Sequence, residues 1–359
     1  MRSISLLFSL LLFTLQGMAQ QASKVRPFVI SYYSGTAERL DSFDVRQMTH
    51  LIYCFGHVQG NRFHLSSRKD TLLIQKMVSL KKKNTQLKVL LSLGGWGGCA
   101  PCSDVFGTDA GRKAFARSVK EMNSYLKTDG IDLDWEYPAI EGYPGHTFKP
   151  EDRNNFTELV KDLRRELGAN ATITFAAGGF QKFLDESVDW QAVMPLVSFV
   201  NMMTYDLVSG FSTVTGHHTP LYSTTENKES ADHAIQYLLG KGVPASKIVL
   251  GAAFYARVWE NVADVNNGLY QSGKFKAFVP YRTFGKELAG YTTYWDSTAK
   301  APYAYNRDQK LYATFDDKRS IALKTRYVQE HNLGGIMYWE LGLDEYRNGL
   351  LQTINENLK

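Results

Sequence analysis

Asp129-Gly130-Ile131-Asp132-Leu133-Asp134-Trp135-Glu136-Tyr137-Pro138 is the stretch whose reading decides the fold. Side chains of a strand alternate between faces, so Asp132, Asp134 and Glu136 share one face and Ile131, Leu133 and Trp135 the other. The apolar face calls for covering helices, which turns the three carboxylates toward the interior of a closed sheet. Alternate positions lie about 6–7 Å apart along a strand. Three anions at that spacing in a partly buried stack do not all stay ionised, so at least one proton is retained. Glu136, at the carboxyl end, is best placed to hold a proton over a substrate, as a general acid near neutral pH must. A metal held by the three carboxylates is the rival reading of the same residues.

Outward from this strand, short apolar runs recur before longer amphipathic stretches. The pattern predicts strands at 27–33, 50–55, 87–93, 130–136, 171–177, 197–205, 248–255 and 335–340. Helices are predicted at 112–128, 151–167 and 318–332, the last behind Asp317 as N-cap. Eight strands alternating with helices predict an α/β fold, a (β/α)8 TIM barrel. A doubly wound sheet is the alternative, but no GxGxxG follows the first strand. The connection after the seventh strand is long, rich in Tyr, Phe, Gly and Asn, with β-like pieces at 291–295 and 310–314. It predicts a small α+β insertion at the carboxyl end of the strands, where barrel sites lie. The expected domains are a signal peptide over 1–19, a barrel over 20–257 and 317–359, and the insertion over 258–316.

The chain has 359 residues, 44% hydrophobic and 21% charged, a balance that excludes disorder, collagen and coiled coil. The net charge of +5 is dispersed apart from Lys81-Lys82-Lys83 and argues against a nucleic-acid partner. Arg2, the apolar run 6–15 and the small residues of Gly17-Met18-Ala19 form a secretory address. The run is too short for a membrane span. The expectation is export, to the periplasm or outside, after cleavage near Ala19, with no membrane contact by the mature form. Three cysteines are too few for a disulfide scaffold. Cys99-Ala100-Pro101-Cys102 reads as a local disulfide in preference to a redox motif or half a zinc site. Cys54 reads as a buried thiol. His217-His218 lack a third ligand at useful spacing and read as loop hydrogen-bonding residues. No metal and no cofactor are expected.

The motifs resemble glycoside hydrolase family 18, the chitinases and their relatives. Asp129 to Glu136 matches that family's DxxDxDxE at every fixed position. Ser92-Leu93-Gly94-Gly95-Trp96 is similar to its SxGG, Met203-Thr204-Tyr205-Asp206 to its MTYD, and Phe254-Tyr255-Ala256-Arg257 to its FYGR with Ala in place of Gly. Tyr294-Trp295-Asp296 and Pro302-Tyr303 resemble the insertion of longer bacterial-type members. Ser31 before Tyr32, where Gly is common, is a further departure.

The resemblance implies a retaining, substrate-assisted hydrolysis of β-1,4 bonds between N-acetylglucosamine units by a secreted chitinase. Glu136 would be the acid, Asp134 would hold the substrate acetamido N–H, Tyr205 its carbonyl oxygen, and Asp132 would modulate the shared proton. Asp206 and Arg257 would contact sugar hydroxyls, with Met203 and Tyr137 also in the binding site. Trp339 and Trp96 are the expected stacking platforms, with Tyr32, Phe55 and Trp259 behind them; Trp135 should face the helices. Chitin and N-acetylglucosamine oligomers are the implied partners of a monomer. An endo-β-N-acetylglucosaminidase acting on glycans and a chitin-binding, lectin-like protein are the alternatives. Glu136, Asp134, Tyr205 and Asp132 together favour an enzyme over a lectin.

Overall fold

A computed structural model describes residues 26–358, so the expected signal peptide lies outside the described residues. Fourteen strands are assigned among the described residues: β1 (Phe28–Tyr33), β2 (His50–Gln59), β3 (Arg62–His64), β4 (Lys88–Gly94), β5 (Gly130–Asp134), β6 (Thr172–Gly178), β7 (Phe199–Met203), β8 (Ile248–Ala253), β9 (Tyr255–Glu260), β10 (Lys274–Pro280), β11 (Thr292–Asp296), β12 (Ala301–Asn306), β13 (Leu311–Phe315) and β14 (Gly335–Trp339). Strands β1, β2, β4, β5, β6, β7, β8 and β14 pair in parallel in that order. The ring closes through Phe28 opposite Gly335 and Ile30 opposite His50. The chain thus folds as a (β/α)8 barrel, with β3 added to β2 as a short antiparallel hairpin.

Helices cover the outside. The one over Asp109–Leu126 starts at Thr108, whose hydroxyl accepts from the Gly111 N–H at 3.0 Å, and stops at Lys127 in a left-handed turn. Asp317 caps the helix Lys318–Glu330 through the Ser320 N–H at 2.8 Å. Alternation along the strands sorts the core into two layers. Ile131, Leu133 and Trp135 join the layer between strands and helices, where Trp135 packs on Phe106 at 5.5 Å. Ile30, Tyr32, Leu90, Ala176, Phe199 and Met337 fill the inside of the ring.

The region read as one strand over 248–255 is two. β8 ends at Ala253, and β9 begins at Tyr255 in an antiparallel sheet ordered β10-β9-β13-β12-β11. That sheet starts before the boundary drawn at 258. At the break the Phe254 N–H still donates to the Trp339 carbonyl of β14 at 2.9 Å, but other partners take the main chain on its opposite side. The Ala253 N–H donates to Asp316 Oδ2 at 3.0 Å, and the Phe254 carbonyl accepts from the Tyr281 N–H at 3.0 Å. Asp316, where the insertion returns, also binds Lys324 Nζ at 2.6 Å and the Thr219 hydroxyl at 3.1 Å. Both members of this ion pair are fully buried. One cluster therefore pins both junctions of the insertion to the barrel.

Candidate active site

The carboxyl ends of the ring strands converge on the acidic stack. Asp132 is wholly buried, and each of its oxygens accepts two hydrogen bonds. Oδ2 takes them from Tyr32 at 3.0 Å and Ser92 at 2.8 Å; Oδ1 takes them from Thr174 at 2.6 Å and Asn201 at 3.2 Å. The donors come from β1, β4, β6 and β7. Burial pushes the Asp132 carboxyl up, and these donors oppose the shift. The four hydrogen bonds fill the lone-pair sites of the carboxylate and favour its ionised form against burial.

Asp134, one step toward the carboxyl end, is also buried, and its Oδ1 finds no hydrogen-bond partner among the described residues. Burial, then the charges of Glu136 and Asp132, push it well above the usual carboxylate range. Glu136 lies just beyond the end of β5, not within it. Burial raises its carboxyl to about 7, against a hydrogen bond from Tyr137 and with help from the charge of Asp206. Two adjacent acids that resist ionisation hold a proton at neutral pH, which is what proton donation to a leaving group needs.

Around them stand the other residues singled out in the sequence. Tyr205 is buried, with its hydroxyl 3.8 Å from Met337 Sδ, and the negative charge of Asp134 helps burial raise its pKa. Met203 sits beside it in the inner layer. Asp206 adopts a left-handed backbone and forms a two-pronged ion pair with Arg257, one contact being Nη2 to Oδ2 at 2.5 Å. The Tyr255 hydroxyl donates to Oδ1 at 2.7 Å, and His218 Nδ1 lies 3.4 Å away. Burial would raise the Asp206 carboxyl, but Arg257 and His218 overcome it and hold Asp206 well below its ordinary range.

The aromatics divide. Trp339, at the end of β14, stacks on Phe55 at 5.6 Å and 15°, with Tyr32 6.0 Å away. Trp96 is 47% exposed on the loop after β4, near Tyr143 at 5.6 Å and Phe211 at 6.1 Å. Tyr137 is wedged between Phe180 and Phe183, each at 5.4 Å. Tyr32 is buried with its hydroxyl on Asp132, so it supports the carboxylate and offers no free stacking face. Trp259 is fully buried in the insertion, its indole N–H on the Ser212 carbonyl at 2.9 Å, so packing replaces the stacking role expected of it. His217 bonds Asp296 at 3.1 Å. Among the described residues no three His, Cys, Asp or Glu side chains are grouped to hold a metal ion.

Sequence reasoning missed Thr174 and Asn201 as members of these clusters, and Tyr143, Phe211 and Phe278 as exposed rings, while His218 hydrogen-bonds from its loop as read. Thr174 and Asn201 did carry a signal. Each is a polar residue at an inward position of an apolar strand, and a buried polar group needs a partner. The exposed rings lie on loops or the insertion sheet, where no periodicity marks them.

The chain matches known proteins along nearly its whole described length. Residues 29–344 match the family described as Glycosyl hydrolases family 18. The chain is 35% identical over 307 residues to Chitinase A1 of Niallia circulans, covering 78% of this chain and 44% of that protein. It is 31% identical over 347 residues to Chitotriosidase-1 of Mus musculus, covering 88% and 73%. The structure of a family 18 N-acetylglucosaminidase from Paenibacillus barengoltzii superposes with a TM-score of 0.83 at 35% identity, over 92% of this chain and 99% of that one. This chain, with its acidic stack at the carboxyl end of β5, belongs to glycoside hydrolase family 18.

Proposed function

We propose that the protein is an exported chitinase that hydrolyses β-1,4 bonds between N-acetylglucosamine units with retention, using the substrate's own acetamido group. The observation that carries this reading is buried Asp134 beside half-buried Glu136, above an Asp132 whose acceptor sites are all filled. With Asp132 saturated by neutral donors, the proton of the stack belongs to Asp134 and Glu136. Glu136 gives its proton to the glycosidic oxygen as the bond to the anomeric carbon breaks. The acetamido carbonyl oxygen closes on that carbon, forming a cyclic oxazolinium, and Asp134 accepts a hydrogen bond from its N–H. Tyr205 donates to the same carbonyl oxygen. Water then attacks the anomeric carbon, Glu136 takes the water proton, and the ring reopens. Two displacements at one carbon restore the configuration.

Trp339 on Phe55 forms a flat floor and Trp96 an exposed ring, both suited to the C–H faces of sugars. Residues 1–19 supply the export address, and the mature protein acts as a monomer on chitin and its oligomers. Partly acetylated chitosan tests the mechanism. Newly formed reducing ends should carry N-acetylglucosamine; glucosamine there in appreciable amounts would sink substrate assistance. Cellulose oligomers, which lack the acetamido group, should survive intact.

A further inference from the structure

We infer that the Cys99–Cys102 disulfide is a positioning device for Trp96, holding this ring at a set place beside the catalytic strand so that substrate affinity depends on the bridge. The inference rests on the reading above, in which Trp96 meets a sugar chain. After β4 the chain runs Gly94-Gly95-Trp96-Gly97-Gly98-Cys99. Gly94, Gly95 and Gly97 have φ of 104°, 75° and 83°, and glycine carries little stiffness of its own. Trp96 rides on this segment. Two of the rings nearest it, Tyr143 and Phe211, are themselves exposed, and the third, Tyr137, is 6.4 Å away, so Trp96 stays 47% exposed with ring contacts on few sides.

What holds the segment is its base. The Gly95 N–H donates to the Asp134 carbonyl at 2.8 Å, and the Gly98 N–H to the Gly95 carbonyl at 2.8 Å. A Cβ on Gly94 would lie 2.2 Å from the Asp134 carbonyl oxygen and 3.5 Å from Cys99 Sγ. The sulfur thus backs the point where the loop touches the main chain of Asp134. Cys99 is bonded to Cys102, with their Cα atoms 5.3 Å apart, and both side chains are buried in the outer core. Cys102 opens the helix Cys102–Phe106, and Phe106 packs on Trp135, the residue between Asp134 and Glu136. The bridge therefore joins a pliable, glycine-rich loop to a rigid element anchored on the catalytic strand.

A purely global stabilising role fits less well. The entropic benefit of a cross-link grows with the chain it encloses, and these cysteines are three apart in sequence. The effect is local.

The test compares wild type with a C99A/C102A double variant on N-acetylglucosamine oligomers, and reads Trp96 by acrylamide quenching, using W96F in each background to isolate its emission. KM should rise at least about threefold with kcat within about twofold, and Trp96 should become more accessible to quencher. Unchanged KM and unchanged quenching overturn the inference, whatever happens to Tm. Should the double variant not fold, the same measurements apply to C99S/C102S, which removes the bridge and adds no bulk. If wild type cleaves no oligomer, the proposed activity fails, but quenching still reports on the bridge.

Discussion

Arg257, on the first strand of the insertion, grips Asp206, just beyond the end of β7, through both oxygens of the carboxylate. The insertion is thus wired into the charge of the barrel site and is more than a wall beside it. Arg257 keeps Asp206 ionised, and the Asp206 charge helps keep Glu136 protonated.

Asp206→Asn removes that charge while keeping the shape. With Glu136 as the proposed acid, kcat/KM should fall as pH rises through its raised pKa of about 7. Without the Asp206 anion that pKa drops, and the alkaline limb of the pH profile should move to lower pH. An unmoved limb would show that Asp206 serves substrate contact alone.

Glu136→Gln should lower kcat at least about a hundredfold while oligomer binding persists. It also has a stability signature. The folded pKa of about 7 lies above the ordinary 4.5, so the stability tied to the protonated form is complete below 4.5 and is lost as pH rises through 7. Wild type should therefore lose Tm relative to Glu136→Gln across that window. Parallel Tm curves over the same window would remove the raised pKa.

Trp339→Ala should weaken oligomer binding about fivefold, the equivalent of roughly 1 kcal/mol from one aromatic contact. Titration calorimetry reads it directly. Unchanged affinity with a lowered Tm would make Trp339 a packing residue.

Lys324→Ala leaves Asp316 buried without its cation. Breaking a buried ion pair from one side costs about 3–5 kcal/mol, and urea denaturation should show a loss of that order. A loss under about 1 kcal/mol would mean that the junction cluster does not depend on the pair.

Much of this protein was legible before any coordinates. The period of two across Ile131 to Glu136 separates apolar from acidic positions, and backbone geometry forces those sets onto opposite faces. The resulting barrel, the insertion between β8 and β14, and the acidic stack at the end of β5 follow from patterns that are local in sequence. What alternation cannot encode is which distant residues meet. Tyr32, Ser92, Thr174 and Asn201 lie on four strands and reach one carboxylate only because the closed ring brings their inward positions together. The end of β8 at Ala253 is likewise decided by Asp316 and Tyr281, far along the chain. Trp259 and Trp96 are the same residue type on either side of that divide. Sequence named Trp96 as a platform with Trp259 behind it, but the antiparallel sheet buries Trp259, and the glycine loop leaves Trp96 in solvent. Side-chain alternation is a property of a single strand, so sequence alone determined the faces and the chemistry they carry. Partnership and exposure depend on how strands pack, and only the tertiary structure decided them.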